Sequence, residues 1–358
     1  MKKIIFLGLM TLFLLTGCGK LTAEKAVKEF KENVEARKAY EIKGTMEIIN
    51  DEDLFKYKVV VAFKKDDYYK VSLVNQTNNH EQLILKNSDG VFVVTPSLNK
   101  SFKFQSDWPK NSSQAYLLQS LVDDLEKTEK IEMETTDDGY VLKAKVSYPN
   151  NVDLTYEKLY FDKDMNIKRV EVYNDSNSLR IKMEFESINY KATLADDDFL
   201  LESVIDENCC KQEVPKDDKK GTSDPNEPND GEDGPDETTS KLDDILYPLY
   251  VPAGTYLTGK DIVQTSNGER VILTFAGEKN FILVEETLNI PSELEVVPVY
   301  GDPLMLNDTI AALSGNSLHW SSSKVNYYLS GDNLTGFELL TIATSLANTD
   351  ATPTAITK

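Results

Sequence analysis

Period-two alternation of apolar and polar residues fills the first half of the chain and points to an antiparallel β unit, with turns about every 8–12 residues. Phe55, Tyr57, Val59, Val61 and Phe63 alternate, while Lys56, Lys58 and Lys64 face the other way. Asp66-Asp67 turns the chain into Tyr69, Val71 and Leu73. Glu81–Lys86 passes through Asn87-Ser88-Asp89-Gly90 into Val91–Thr95, and Asp-Gly is a hairpin step because glycine tolerates positive φ. Ser101–Phe104 is a further short strand. Asp107-Trp108-Pro109 then breaks the series, and Ser112 or Ser113 can cap a helix over Tyr116–Lys127 whose apolar face is Leu117, Leu118, Leu121, Val122 and Leu125. Strands resume at Ile131–Thr135, Gly139–Ser147, Asp153–Asp162, Asn166–Asn174 and Leu179–Tyr190. At the other end, Thr22 can cap a helix running to about Lys38, with Ala23, Ala26, Val27, Phe30 and Val34 in one stripe. The reading gives eleven strands and two helices between Leu21 and Leu201.

The order of these elements is one helix, six strands, one helix, five strands. It resembles the LolA/LolB-type lipoprotein-carrier fold, in which a curved antiparallel sheet forms an unclosed half-barrel with helices over its mouth. Asp89–Pro96 followed by Ser101–Phe104 is similar to a hairpin of that superfamily, and Asp196-Asp197-Asp198-Phe199 to its C-terminal edge. Leu21–Glu202 carries the resemblance, which is nearest to lipid-anchored proteins of spore-forming Gram-positive bacteria, including GerS-like germination lipoproteins. Apolar residues on the inside of such a sheet must be buried under helices or under a ligand. The resemblance implies an acyl-chain or peptide cavity among Phe55, Tyr57, Val59, Val61, Phe63, Leu118, Leu121 and Leu125. The same alternation is equally the pattern of a packed core.

At the start, Lys2 and Lys3 precede the uncharged run Ile4–Leu15. That is the pattern of a secretory signal peptide, too short to span a bilayer comfortably. Leu15-Thr16-Gly17-Cys18 resembles the bacterial lipobox. The resemblance implies cleavage after Gly17, a diacylglyceryl thioether on Cys18, and a mature protein held on the extracytoplasmic face of the cell membrane. The net charge of −21 excludes nucleic acid, which needs basic surface, and leaves membrane attachment to the lipid rather than to a basic patch. Cys209 and Cys210 are too few for a disulfide framework and read as idle thiols or as a redox pair.

Lys211–Ser240 holds four prolines, three glycines and ten acidic residues against four lysines, with Val214 its only aliphatic residue. Such a composition cannot bury enough surface to order itself. The expected division is therefore a signal peptide at 1–17, a LolA-like domain at 18–202, an acidic linker at 203–241, a small α+β domain at 242–348 and a tail at 349–358. In the second domain, Thr255–Val263, Arg270–Ala276, Phe281–Thr287, Leu294–Val299 and Val325–Ser330 read as strands, with Asn267-Gly268 a hairpin turn. Thr335-Gly336-Phe337-Glu338 is a capping box opening a helix with Leu339, Leu340, Ile342, Ala343 and Leu346 on its apolar face. The run from Trp320 through Tyr327–Leu334 to Leu339–Leu346 resembles a small C-terminal domain of Gram-positive extracytoplasmic and anti-sigma-like proteins, which implies a binding or regulatory module.

Chemistry is scarce. His80 and His319 are the only histidines, neither at metal-ligand spacing nor near a nucleophile motif. Asp196–Asp198 reads as a solvated turn, and no glycine-rich phosphate loop exists. No cofactor, metal or catalytic residue is expected. The chain reads as a non-enzymatic, membrane-anchored α+β binding or regulatory protein of cell-envelope or germination biology. By resemblance its partner would be a cell-wall amidase, as for GerS-like proteins, or an anti-sigma factor, as for RseB-like stress sensors. A LolA-type carrier of lipid or lipoprotein is the alternative.

Overall fold

The structure, a computed structural model, describes residues 21–50, 53–204, 241–266, 268–291, 293–306, 308–322 and 324–348. The lipobox with Cys18, residues 205–240 of the acidic linker with Cys209 and Cys210, Asn267 and the tail lie outside the described residues.

Helix α1 (Ala23–Glu35) starts at Thr22, whose hydroxyl accepts from the Lys25 amide at 3.4 Å. It buries Ala26, Phe30 and Val34, and Phe30 meets Phe161 edge-on at 5.0 Å. The stripe thus packs on the sheet. Strands β1 (Ala39–Asn50), β2 (Asp53–Lys64), β3 (Tyr68–Asn75), β4 (Glu81–Asn87), β5 (Gly90–Thr95) and β6 (Lys100–Gln105) follow, each antiparallel to the last. Helix α2 (Leu118–Lys127) comes next, then β7 (Glu132–Thr135), β8 (Gly139–Lys145), β9 (Leu154–Asp162), β10 (Ile167–Asn174) and β11 (Leu179–Asn189). The helix–strand order is the one read from the sequence. Neither serine caps α2: Leu117 stands at its N-cap without a side-chain bond, and the Ser113 hydroxyl accepts from the Ser147 amide at 2.8 Å instead.

Strand β1 pairs with β2 on one side and β11 on the other, which joins the two runs into one open sheet. The pairing with β11 slips at Gly44, where a β-carbon would stand 2.2 Å from the Glu184 carbonyl oxygen; only glycine lets the backbones approach so closely. One face carries the main core, from Tyr57, Val59 and Val71 to Met183, sealed by α1, α2 and the segment around Trp108 and Leu117. On the other face a smaller cluster of Leu83, Leu85, Phe92 and Val94 lies under Phe199 and Val204.

The second unit contains β12 (Leu246–Pro248), β13 (Thr255–Thr265), β14 (Gly268–Gly277), β15 (Phe281–Thr287), β16 (Glu295–Tyr300), β17 (Asp302–Met305), β18 (Ile310–Ser314), β19 (Ser317–Ser322), β20 (Val325–Ser330), α3 (Gly336–Thr344) and β21 (Leu346–Asn348). Seven of these strands form a sheet in the order β13-β14-β15-β20-β19-β18-β17. The capping box of α3 is formed in both directions, at 3.2 Å and 2.9 Å between Thr335 and Glu338. The helix ends at Thr344, and Leu346 pairs with Pro248 as a strand rather than extending the helix. The α+β description thus holds in part: among the described residues the fold is mostly β, with few helices beside 21 strands.

Strand β16 departs most from expectation. It leaves its own unit and pairs in parallel with β6, Val297 opposite Phe102 and Val299 opposite Phe104, which makes the first sheet twelve-stranded. Pro298 marks it as an edge strand, because proline cannot donate to a second neighbour.

Candidate functional site

The two units meet along a joint that holds polar groups deep inside. Gln82 donates to the Thr309 hydroxyl at 2.9 Å, and Thr309 donates onward to the Ser321 carbonyl at 3.0 Å. Ser106 and Asn111 both donate to Asp302, at 2.6 Å and 2.7 Å. Lys100, 5 % exposed, donates to Asn326 at 3.1 Å and lies 4.9 Å from the Phe102 ring centroid; burial lowers its pKa. His319 stands edge-on to Phe102 at 5.3 Å, and burial, with Lys100 beside it, brings its pKa down to about 4. This histidine is an interface group in its neutral form.

Beside these bonds the joint leaves a cavity of about 330 Å³, at the lower end of the size range of ligand pockets. The first unit lines it with Ile48 and Ile49 at the end of β1, Ile181 at the start of β11, Trp108, Tyr116, Tyr148 and Leu154. The second unit adds Pro303, Leu304, Met305 and Ile310 from β17 and β18, and Phe337 and Leu340 from α3. Asn50, Gln114, Asp153, Asn174 and Arg180 are among the polar groups on its wall, with Ser112, Asn151, Thr341 and Thr344 beside them. Neither unit makes this cavity alone.

The eight residues expected around a cavity on the inner face stand apart from the joint cavity. Tyr57, Val59, Val61, Phe63, Leu118, Leu121 and Leu125 are packed in the main core at 6 % exposure or less, and Phe55 packs against its rim. None of the eight lines the joint cavity. The apolar stripes of α1 and α2 already fill the inner face. The space remains where strand ends, which cannot interdigitate as strand faces do, meet a second module.

Two carboxyl groups stand behind the cavity's tyrosines. Glu157 of β9 is fully buried and Asp124 of α2 nearly so. Burial, and then the charge of Asp124, holds Glu157 well above the usual carboxylate range, and burial lifts Asp124 to about 6. Neither stood out in the sequence, since Glu157 is followed by the charged Lys158 and Asp124 falls beside Asp123 on an amphipathic helix. A lone acid among inward-facing Leu154, Leu159 and Phe161 is the signal that would have found it. Asp196–Asp198 serves a short turn: Asp196 pairs with Lys64, and Asp198 accepts from the Ala195 amide at 2.7 Å. A second hollow of about 970 Å³ lies in the second unit between residues 241–246 and the stacked rings of Trp320 and Tyr327, with Asp243, Asp308 and Lys324 around it. Among the described residues no three His, Cys, Asp or Glu side chains gather as metal ligands, and no helix is long and apolar enough to cross a membrane.

Comparison with known proteins gives a family and several distant likenesses. Residues 1–199 match the family described as sporulation protein YdcC-like. Sporulation protein YdcC of Bacillus subtilis (strain 168) is 33 % identical over 353 residues, spanning 97 % of this chain and 98 % of the relative. Among solved structures, MucB is similar at 11 % identity over 92 % of this chain and 99 % of its own, with a TM-score of 0.33. The GerS lipoprotein in complex with the CwlD amidase of Clostridioides difficile gives a match at 16 % identity over 49 % of this chain and 98 % of the matched chain, with a TM-score of 0.29. The LolA superfamily protein NE2245 of Nitrosomonas europaea is similar at 14 % identity over 51 % of this chain and 99 % of its own, with a TM-score of 0.29.

Proposed function

The chain belongs to the YdcC-like family of sporulation proteins, and from that premise we propose that it is a non-enzymatic binding protein of the envelope in spore-forming cells. In this reading a lipid on Cys18 tethers it to the extracytoplasmic face of a membrane, and the joint cavity takes an apolar group of its partner. The observation that carries the reading is the cavity itself, whose wall joins isoleucines and aromatics from both units to a set of polar side chains. An apolar side chain or acyl stretch that enters such a space gains about 25 cal/mol per Å² of surface removed from water. Contact with both units at once would tie ligand capture to their relative setting. A protein partner is favoured over a shuttled cargo, because a permanent anchor keeps a carrier on one membrane. One matched structure is of an amidase in complex with the GerS lipoprotein, and an amidase is the first partner to seek.

Two experiments test this. Affinity capture of the full chain from sporulating cells, with Leu340→Trp as a cavity-filling control, should recover a partner with the wild type and lose it with the variant. Recovery of the same partner with both would remove the cavity from the mechanism. Native mass spectrometry of the membrane-extracted protein should show a lipid adduct that Cys18→Ala abolishes; a wild-type mass matching the unlipidated chain would remove the anchor.

A further inference from the structure

Four of the fourteen large apolar side chains exposed among the described residues lie on β13: Tyr256, Leu257, Ile262 and Val263, at 44–69 % exposure. They occupy both faces of the strand. Leu257 and Ile262 lie opposite Phe275 and Val271 on the core side, while Tyr256 and Val263 lie opposite Ala276 and Arg270 on the other. Strand β13 is also the last of its sheet: it pairs with β14, and among the described residues no strand meets its outer edge. An edge that is apolar on both faces and open in its backbone is a template for another strand.

The remaining sheet ends are guarded. Strands β7 and β17 are four residues long and carry none of the fourteen side chains. Strand β16 carries two of them, but Pro298 in its middle has no amide to donate. Strand β13 is eleven residues long, holds no proline, and has Lys260 and Asp261 as its only charges. The ammonium of Lys260 is drawn aside, donating to the Tyr247 hydroxyl at 3.0 Å. The pairing with β14 slips between Leu257 and Gly259, and from there to Thr265 the register is unbroken. That stretch presents a regular edge.

Charge selects the occupant. Residues 241–348 hold thirteen Asp and Glu against five Lys and Arg. Two of the acids stand at the ends of β13. Glu269 pairs with Gln264 at one end, and the Glu278 amide donates to the Gly254 carbonyl at 3.1 Å beside the other. A second copy of the chain would bring the same excess of acid, and two-fold pairing centred on Lys260 or Asp261 would set like charges opposite one another. A basic segment meets a field of opposite sign, which speeds encounter and rejects acidic competitors.

We infer that β13 is a docking edge for an extended segment of a partner protein, apolar in its middle and flanked by lysine or arginine, which joins the seven-stranded sheet as a further strand. Backbone hydrogen bonds hold it, Ile262 and Val263 cover its apolar residues on the two faces, and the acidity of the unit chooses its ends. No residue of β13 lines the joint cavity, so this inference stands or falls apart from the reading above.

Hydrogen exchange on the full chain, read by mass spectrometry, tests it. The probe is the blocked peptide Lys-Lys-Thr-Val-Tyr-Val-Thr-Lys-Lys at about 1 mM, enough to occupy even a weak site. Without peptide, residues 259–265 should exchange about tenfold or more faster than residues 271–275 of β14. With it, protection of 259–265 should rise about tenfold while β1 and β2 hold steady. The rise should vanish for the counterpart with Glu in place of every Lys, and for one N-methylated at alternate amides of its central run. It should also vanish in Ile262→Ser with Val263→Ser, whose melting should match the wild type because both side chains are exposed. A peptide that leaves the exchange of β13 unchanged overturns the inference, as does equal protection by the acidic or the N-methylated form. Protection of β13 before any peptide is added overturns it too: if it survives dilution, a segment of this chain covers the edge, and if it is lost with a dimer seen in sedimentation, a second copy does.

Discussion

The two ends of the eleven strands that the first unit gives to its sheet solve one problem in opposite ways. At one end β7 is four residues long, mostly exposed, and carries Glu132 and Glu134; shortness and charge leave its outer hydrogen-bonding groups in water and discourage pairing. At the other end β6 is six residues long, with Lys100, Ser101, Phe102 and Phe104 buried. Left bare, an edge that buries two phenylalanines would be a pairing hazard, and here β16 of the second unit covers it. The lesson is that a sheet edge can be kept safe by its own composition or by a strand lent from elsewhere in the chain. The second route binds two modules into one body and creates the joint in which the cavity lies.

The sharpest way to break this contrast is at β16. Val297→Asp with Val299→Asp should cost about 4 kcal/mol or more, because each places a charge on the half-buried core side of the strand. Thermal unfolding should then split into two transitions, and a single unchanged transition would show that the pairing does little. Next in size is the acid response of the joint. His319 is neutral when folded but protonates below about 6.5 when unfolded, so stability should drain away as pH falls from 6.5 toward 4, by about 1–3 kcal/mol. His319→Phe should flatten that limb in melting curves. Gln82→Ala should cost about 1–2 kcal/mol by taking a buried donor from Thr309, measured by denaturant titration. Glu285 of β15, pushed up to about 7 by burial, acts in the other direction: stability should fall as pH rises through 7, and Glu285→Gln should remove that share. The smallest effect belongs to the bare edge. Glu132→Val with Glu134→Val should move monomer stability by about 0.5 kcal/mol or less yet raise self-association in sedimentation, since only the guarding charge is gone.

Much of the first unit was legible because its strands pair with their sequence neighbours. Asp66 and Asp67 both adopt positive φ where the turn was read, and the alternation of β2 and β3 gave their buried faces. Strands β17 to β19 were harder, being four to six residues long and, in β18, buried on both faces, so that periodicity had nothing to mark. The candidate site was not legible at all. Its lining comes from strand ends, loops and a helix more than 150 residues apart in the chain, from Ile181 to Phe337, for example.

What the sequence alone determined is the local grammar: the alternation that makes strands, the capping box of α3, and the ordering of helices among strands. Each rests on groups a few residues apart, whose preferences hold whatever the rest of the chain does. Only the tertiary structure decided which edge β16 would cover, where packing would leave a hollow, and that Asp124 and Glu157 would both be buried. Hydrogen-bond partners in a sheet, leftover volume and the cost of a buried charge are properties of the assembled whole, and period-two patterning is silent about all three.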